Sequence, residues 1–277
     1  MGQKTQISWA DATWNPWRGC SRVSPGCTNC YAAREMSRYG KDFDTVTRSK
    51  TTFKDPLKWR EPKRIFTCSW SDFFIEDADP WREEAWEIML EANWHTYIIL
   101  TKRPGLMEDW ARRHPWPDHI WAGASVESQK YAPRLTVLAR VPAKVRVVSC
   151  EPLLEPLYLY RWLASHYHCQ WDCEHPQPFV KDSIYVCGRC WFKDGITSPM
   201  IPCVPGICDD PPESVLDWAI VGGESGPNFR PMEISWLTDI VDQCNAAGVP
   251  VWVKQDSGLH PGRQGRIPDR YWIQELP

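Results

Sequence analysis

Short apolar runs recur along this chain and alternate with stretches of helical character. Strands that are apolar throughout are typical of a parallel sheet, because crossover helices cover both of its faces. Six or seven such β/α units favour a partial or full (β/α) TIM-like barrel, and no GxGxxG or P-loop pattern supports an open doubly wound sheet. The apolar runs occupy residues 65–68, 97–100, 120–123, 145–148, 218–221 and 249–253, after a first candidate strand at 13–17.

Helices are predicted between these runs, at residues 80–93, 130–139 and 235–246. The second begins just after Ser128. Ser235 is placed as the N-cap of the third helix, and Gly248 follows its end, where glycine commonly terminates a helix. The alternation therefore indicates an α/β fold.

The composition gives the chain no global attraction to nucleic acid or to acidic membranes. Its 277 residues carry a formal net charge of −3, so any contact with a polyanion must be a local patch. The polar N-terminus and the lack of an apolar run of roughly 18 residues predict a cytoplasmic protein with no membrane partner. Thiols stay reduced in that compartment, so twelve cysteines favour metal binding over disulfides. The eighteen tryptophans belong either to the core or to a stacking surface.

Three cysteines lie close together near the start of the chain. Cys27 and Cys30 form a C-x-x-C pair, and Cys20 lies seven residues before Cys27. Three thiolates without a fourth nearby suit a [4Fe–4S] cluster that keeps one iron free of protein ligands, whereas four would close the cluster for electron transfer. An open iron can bind a small molecule, so this run indicates chemistry.

Polar residues follow five consecutive predicted strands, at the end of the barrel where active sites of this fold lie. Lys102 and Glu127 either face a ligand or pair with each other. The glycines at 222 and 223 allow either close approach of a ligand or a tight turn after the strand. The candidate cofactor-binding residues are Asp72, Lys102, Ser125, Glu127, Glu151, Gly222, Gly223 and Glu224.

The β/α pattern breaks at residues 158–213, which we interpret as an insertion between barrel segments 1–157 and 214–277. It holds six of the twelve cysteines and three of the seven histidines. A structural Zn²⁺ would supply folding energy that so small a segment lacks. Cys203 and Cys208 either substitute for a zinc ligand or stay free, and the alternative for the whole segment is a loop with unused thiols. The candidate zinc ligands are Cys169, Cys173, His175, Cys187 and Cys190.

A basic run at residues 48–64 has five more positive than negative charges. Phe53 and Trp59 interleave with its lysines and arginines, so the run could follow a phosphate backbone and stack a base. A second basic group comprises Arg263, Arg266 and Arg270. The alternative is that these charges form solvated faces.

The run Asn-Pro-Trp-Arg-Gly-Cys…Gly-Cys-Thr-Asn-Cys-Tyr-Ala-Ala-Arg at residues 15–34 resembles the cluster loop of radical S-adenosyl-L-methionine (SAM) proteins of the spore photoproduct lyase and DNA repair photolyase-like type. Six residues separate the first two cysteines, where the usual spacing is three, and Pro25-Gly26 supplies a turn in the longer loop. Over about residues 15–258, apart from the Cys-rich insertion, the chain is similar to the phage Gp37/Gp68 family. The motifs that carry this similarity include Leu-Thr-Lys-Arg-Pro, Trp-Ala-Gly-Ala-Ser-Val-Glu, Ser-Cys-Glu-Pro-Leu-Leu, Val-Gly-Gly-Glu-Ser-Gly and Val-Lys-Gln.

The resemblance implies a radical SAM-type barrel and a [4Fe–4S] enzyme that generates a 5′-deoxyadenosyl radical. The three cysteines would hold three irons, and the amino and carboxylate groups of SAM would chelate the fourth. Glu127 and Glu151 would then meet the SAM amino group or ribose hydroxyls, and Lys102 its carboxylate.

Such an enzyme needs an electron-donor protein, and the similarity to DNA photoproduct enzymes implies a nucleic-acid base as the substrate, for modification or repair. The alternative function is a non-catalytic iron–sulfur and zinc-binding phage protein that acts as a binding or structural module.

Overall fold

Seven parallel strands form one sheet, side by side in the order in which they occur along the chain. The computed structural model describes residues 5–163, 167–168, 178–181, 184–187, 201–202 and 215–277. The strands are β1 (Ala12–Trp14), β2 (Arg64–Thr67), β3 (Thr96–Thr101), β4 (Ile120–Ser125), β5 (Arg146–Cys150), β6 (Trp218–Gly222) and β7 (Val251–Gln255). Each predicted apolar run thus contributes one strand, with its ends moved by a few residues.

The sheet curls into a half-barrel. Every strand pairs in parallel with its neighbours in sequence, from β1 with β2 through to β6 with β7. Within the described residues β1 and β7 remain edge strands and do not pair with each other. The partial barrel is therefore the form observed, and the fully closed one is not.

Helices connect the strands, as expected for right-handed crossovers. The predicted helix at 80–93 is confirmed as α2 (Asp79–Glu91). The helix predicted at 130–139 is a 3₁₀ turn (Gln129–Tyr131) followed by a short α4 (Arg134–Leu138), with Pro133 between them. The third begins at Ile234 after Glu233, so the assignment of Ser235 as its N-cap is wrong, while Gly248 ends it with φ +69°. The helices are α1 (Tyr31–Arg38), α2 (Asp79–Glu91), α3 (Pro104–Ala111), α4 (Arg134–Leu138), α5 (Tyr160–Leu163) and α6 (Ile234–Ala247).

Two hydrophobic clusters lie on opposite faces of the sheet. The larger includes the helix-facing side chains, such as Ile99, Val148 and Val221. The smaller occupies the inner face, where Trp9 from the N-terminal segment packs edge-on against Trp218 with ring centroids 6.1 Å apart. These aromatic residues fill the amino end of the half-barrel and leave its carboxyl end for a site.

The insertion contributes short strands of described backbone. Pro178–Lys181 pairs antiparallel with Ile184–Cys187, and Tyr167–His168 pairs with Ile201–Pro202. Cys169, Cys173, His175 and Cys190 lie outside the described residues, as does the side chain of Cys187. The zinc site therefore stays a prediction. Among the described helices, none combines the length and apolarity needed to cross a membrane.

Candidate functional site

The inner face of the half-barrel changes from apolar to polar along each strand. Side chains two residues apart share a face, so Val147 is followed by Ser149 and then Glu151 along β5, and Trp252 by Lys254 on β7. The same alternation places Leu100 near the end of β3 and Lys102 just after it. A cavity of about 430 Å³ opens at this polar end, which is within the size range of pockets that bind small molecules.

The cysteine loop, residues 19–30, lies across the mouth of this cavity. Its first residue, Gly19, has φ +100°, and a β-carbon there would overlap the carbonyl oxygen of Thr45, so only glycine fits. Cys20, Cys27 and Cys30 all line the cavity, and each is a free, partly buried thiol. The fold thus brings the three predicted cluster ligands to one space at the strand ends.

Cys20 has a cationic neighbour. Arg103 Nη1 lies 3.7 Å from Cys20 Sγ, and Arg103 Nη2 donates to the Ser21 carbonyl at 3.1 Å. Burial, together with the charge of Asp72, raises the pKa of the Cys20 thiol to about 11, although Arg103 opposes this shift. The free thiol is therefore protonated at neutral pH, and a metal that binds there displaces its proton.

Asp72 is the residue that positions Arg103. Its Oδ2 accepts from Arg103 Nη1 at 3.1 Å and from the backbone N–H of Lys102 at 3.0 Å. Its Oδ1 accepts from Thr101 Oγ1 at 2.7 Å and from the N–H of Phe74 at 2.9 Å. A carboxylate offers about four acceptor positions, so protein donors fill the capacity of Asp72.

Glu127 holds the loop at its second cysteine. The carboxylate is fully buried, and its Oε2 accepts from Arg134 Nη1 at 2.9 Å. Its Oε1 accepts from the N–H of Gly26, the residue before Cys27, at a long 3.4 Å. The cation that pairs with Glu127 is therefore Arg134, and the Lys102–Glu127 pair that the sequence left open does not form.

Glu224 holds the loop at its third cysteine. Its Oε2 accepts from Asn29 Nδ2, the residue before Cys30, at 2.8 Å, and from Arg230 Nε at 3.0 Å. The Arg230 Nη2 group donates to its Oε1. Burial alone would raise the pKa of Glu224, but the hydrogen bonds from Arg230 and Asn29 hold it below its ordinary value. The carboxylate stays ionised and bound to the loop.

Each cysteine thus has its own anchor from a different part of the sheet. Arg103, after β3, reaches Cys20, while Glu127 after β4 and Glu224 after β6 bind the residues just before Cys27 and Cys30. Second-sphere contacts of this kind fix the orientation of metal ligands.

A carboxylate–ammonium pair faces the cavity from the carboxyl ends of β5 and β7. Lys254 Nζ lies 2.6 Å from Glu151 Oε1, and the two side chains remain 15% and 18% exposed. Both line the cavity, together with the hydroxyls of Ser125 and Ser149. Because the pair is not sealed from solvent, a ligand can reach its polar atoms.

Five of the eight predicted cofactor-binding residues line the cavity, namely Asp72, Lys102, Ser125, Glu151 and Glu224. Glu127 lies behind the loop. Gly222 and Gly223 pack against β7: a β-carbon on Gly223 would lie 2.8 Å from Ser257 Cα. The group that approaches these glycines closely is therefore the backbone at the end of β7, and not a ligand.

Sequence reasoning did not select the basic partners of these carboxylates. Arg103 and Lys254 stand within motifs noted above, Leu-Thr-Lys-Arg-Pro and Val-Lys-Gln, so a signal was present. Arg134 and Arg230 lie in helical or loop sequence with nothing to mark them. Only the fold shows that each faces a buried carboxylate.

The three loop thiols share the cavity lining without forming a ready site for a single ion. Among the described residues, no three Cys, His, Asp or Glu side chains are close enough together to bind one metal ion.

The basic run folds into two separate places. Arg48, Lys50, Lys54 and Lys58 line a groove of about 750 Å³, hereafter the basic groove. Arg64 begins β2 at the amino end of the sheet, away from the cavity, and pairs with Asp11 at 3.1 Å. The run therefore does not form one continuous track.

Local carboxylates neutralise part of the basic groove. Arg48 pairs with Glu84, and Lys58 lies 2.9 Å from Asp55. Phe53 and Trp59, the aromatic residues proposed for stacking, are each 4% exposed and belong to the core. Near the C-terminus, Arg266 is bound to Asp256 at 2.9 Å.

The fold and the site define a class of protein: an α/β half-barrel with an anchored cysteine loop across the carboxyl ends of its strands. Residues 4–270 match the family described as protein of unknown function (DUF5131), and the chain belongs to that family. Comparison with curated proteins and with solved structures gives no match.

Proposed function

We propose that this protein is a radical SAM-like enzyme that holds a [4Fe–4S] cluster on Cys20, Cys27 and Cys30 and binds SAM in the adjoining cavity. The observation that carries the proposal is that the three cysteines share one cavity and that each has a separate anchor. A loop that only linked two elements would not need three buried, charged contacts. Such contacts instead fix the positions of ligand atoms.

The bound cofactors would supply the chemistry of this class, one-electron generation of a carbon radical that abstracts hydrogen. The residues of the chain would bind and orient these cofactors and exclude water from the cavity. Phe66 and Leu100 form apolar walls at the deep end of the cavity, while the Glu151–Lys254 pair and the hydroxyl of Ser125 offer polar contacts near the thiols. This division suits a ligand that combines an aromatic base with charged groups.

A nucleic-acid base as the substrate, for modification or repair, stays part of this proposal. The basic groove supports a nucleic-acid substrate because it lies next to the cysteine loop. Its strand Thr47–Arg48 pairs with Trp17–Arg18, which leads directly into that loop. Lys50 has no ion pair within the described residues and would contact phosphate. Binding of single-stranded oligonucleotides should then weaken with salt, and more steeply in the wild type than in Lys50→Gln.

The proposal also carries expectations outside the cavity. One-electron chemistry needs an electron-donor partner, and the free thiols suit the reducing cytoplasm. The insertion is proposed to hold its zinc independently of the cluster.

The test is anaerobic reconstitution with iron and sulfide, followed by absorption and EPR spectroscopy with and without SAM. A reduced-cluster signal that changes when SAM is added supports the enzyme. A cluster whose signal does not respond to SAM favours the non-catalytic metal-binding module. Cys244→Ala is a matched control, because Cys244 is a buried free thiol on α6, away from the cavity.

A further inference from the structure

Arg34 is a cavity-lining cation for which the described residues supply no anionic partner. It lies on α1, where its N–H donates to the Cys30 carbonyl at 3.2 Å, and its side chain lines the cavity. Within the described residues it forms no ion pair, and its buried Nε has no hydrogen-bond acceptor. The adjacent Glu35 forms an ion pair with Arg38 at 2.6 Å, and Glu224 forms one with Arg230. A buried guanidinium N–H without an acceptor is costly, so a partner from outside the protein would satisfy it.

Gly226 provides the seat for this guanidinium. Its φ is +111°, and a β-carbon there would overlap Arg34 Nη1 and lie 2.7 Å from Arg34 Cζ. The glycine backbone is fixed in turn, because its N–H donates to the Gly258 carbonyl at 2.8 Å. The loop after β6 therefore leaves room for Arg34 at the edge of the cavity and leaves room for no other residue type at position 226.

The charge balance of the cavity favours an anionic ligand. Its carboxylates are already matched: Asp72 with Arg103, Glu151 with Lys254, and Glu224 with Arg230. Lys102, after β3, lines the cavity and, like Arg34, forms no ion pair among the described residues. Three cavity-lining cations, Arg22, Arg34 and Lys102, thus have no ion-paired anion among the described residues.

The geometry points to an oxyanion subsite: we infer that Arg34, seated on Gly226, binds a carboxylate or phosphate group of the molecule that occupies the cavity. The planar guanidinium matches the paired oxygens of either group. Two sources share this chemistry, the carboxylate of SAM and an acidic group of the substrate. The inference rests on the proposed function only in taking the cavity as the ligand site.

The first measurement uses the full-length protein without cluster or SAM, with inorganic phosphate as the probe. Calorimetry at constant ionic strength should detect phosphate binding by the wild type and at least tenfold weaker binding by Arg34→Gln. Arg112→Gln is the matched control, since Arg112 pairs with Glu108 and neither of these residues lines the cavity. Gly226→Ala should weaken binding in the same direction by displacing the guanidinium, with circular dichroism as the check on folding.

The second measurement assigns the source of the oxyanion, using reconstituted protein with SAM and with decarboxylated SAM. If Arg34→Gln weakens SAM binding about tenfold and leaves decarboxylated SAM unaffected, the subsite takes the SAM carboxylate. If it changes neither, while phosphate binding is lost, the subsite takes the substrate. Equal phosphate binding by wild type and Arg34→Gln, or no phosphate binding by the wild type, overturns the inference. Failure to reconstitute a cluster would count against the proposed function and leaves the phosphate result intact.

Discussion

The two sides of the cavity use their charged residues differently. On the side of the cysteine loop, Glu127 is fully buried and Arg134, its partner, is 10% exposed. At the carboxyl ends of β5 and β7 the Glu151–Lys254 pair remains partly exposed and touches the cavity directly. A carboxylate that is fully buried against protein donors is out of reach of a ligand, whereas a partly exposed pair can exchange one partner for another. The first side positions the loop, and the second is open to chemistry.

The largest expected effect follows the removal of all three thiols of the cysteine loop. Cys20→Ala, Cys27→Ala and Cys30→Ala together should abolish iron and sulfide binding in anaerobic reconstitution, because these thiolates are the proposed ligands. Cys68→Ala sharpens the test, since Cys68 also lines the cavity at the end of β2. It should keep the full iron content. Iron retained by the triple variant would break the assignment of the loop.

Loss of zinc from the insertion is the next effect in size. Cys187→Ser with Cys190→Ser should remove about one zinc per chain while the iron content stays unchanged, since structural zinc binding is coupled to local folding. Metal analysis by mass spectrometry on both this variant and the triple cysteine variant gives the comparison. Iron and zinc lost together in either variant would show that the two regions are not independent.

Stability should separate the two sides of the cavity. Glu127→Ala leaves Arg134 as an unpaired, nearly buried charge and should lower the free energy of unfolding by about 3–5 kcal/mol. Glu151→Ala breaks a pair that water still reaches and should lower the free energy of unfolding by less than Glu127→Ala does. Urea denaturation measures both. In the double variant Glu127→Ala/Arg134→Ala much of the lost unfolding free energy should be recovered. Similar losses for Glu127→Ala and Glu151→Ala would show that the two carboxylates do not differ in their contribution to stability.

SAM affinity should depend on the partly exposed Glu151–Lys254 pair, although this pair should contribute less to stability than the Glu127–Arg134 pair. Glu151→Gln removes a charged acceptor from the cavity wall and should weaken SAM binding by roughly 1.5–3 kcal/mol, at least tenfold, with the unfolding free energy unchanged. Calorimetry on the reconstituted protein provides the measurement. Unaltered SAM affinity in a fully loaded variant would mean that the Glu151 wall faces the substrate instead.

The smallest effect concerns acid stability at Glu224. Its pKa is lower in the folded protein than its ordinary value of 4.5, so the unfolded chain binds more protons between the two values and stability rises with pH there. The contribution is complete above the unfolded pKa and is lost as pH falls through the folded one. Glu224→Gln should flatten the stability curve below about pH 4.5 and leave its shape near neutrality unchanged. An unchanged acid limb would mean that Arg230 and Asn29 do not hold the carboxylate.

The sequence predicts the sheet well because burial on both faces leaves a local mark. Each run of four or five apolar residues, such as 97–100, became a strand, and the alternation of side chains carried Lys102 and Glu151 to the inner rim. The eight-residue helix α3 leaves too short a pattern to detect.

The partners of the polar residues could not be predicted in the same way. Glu127 was expected to meet a ligand, but β4 ends at Ser125, so the period of two no longer fixes where the Glu127 side chain points. Its contact at Gly26 is 101 residues away in sequence. Spacing indicates which end of the sheet a residue occupies, whereas the pairing of charges depends on loops that only the complete fold brings together.

The anchors of the cysteine loop also set an order of assembly. The loop leaves the ribosome early, but its contact from Asn29 to Glu224 spans 195 residues. At about 5–20 residues per second, that distance corresponds to about 10–40 s of synthesis. During this interval the thiols lack their last anchor. The loop is thus made first and completed last, so a cluster is expected to load onto a chain already folded past Arg230, and metal delivery is a step that follows translation.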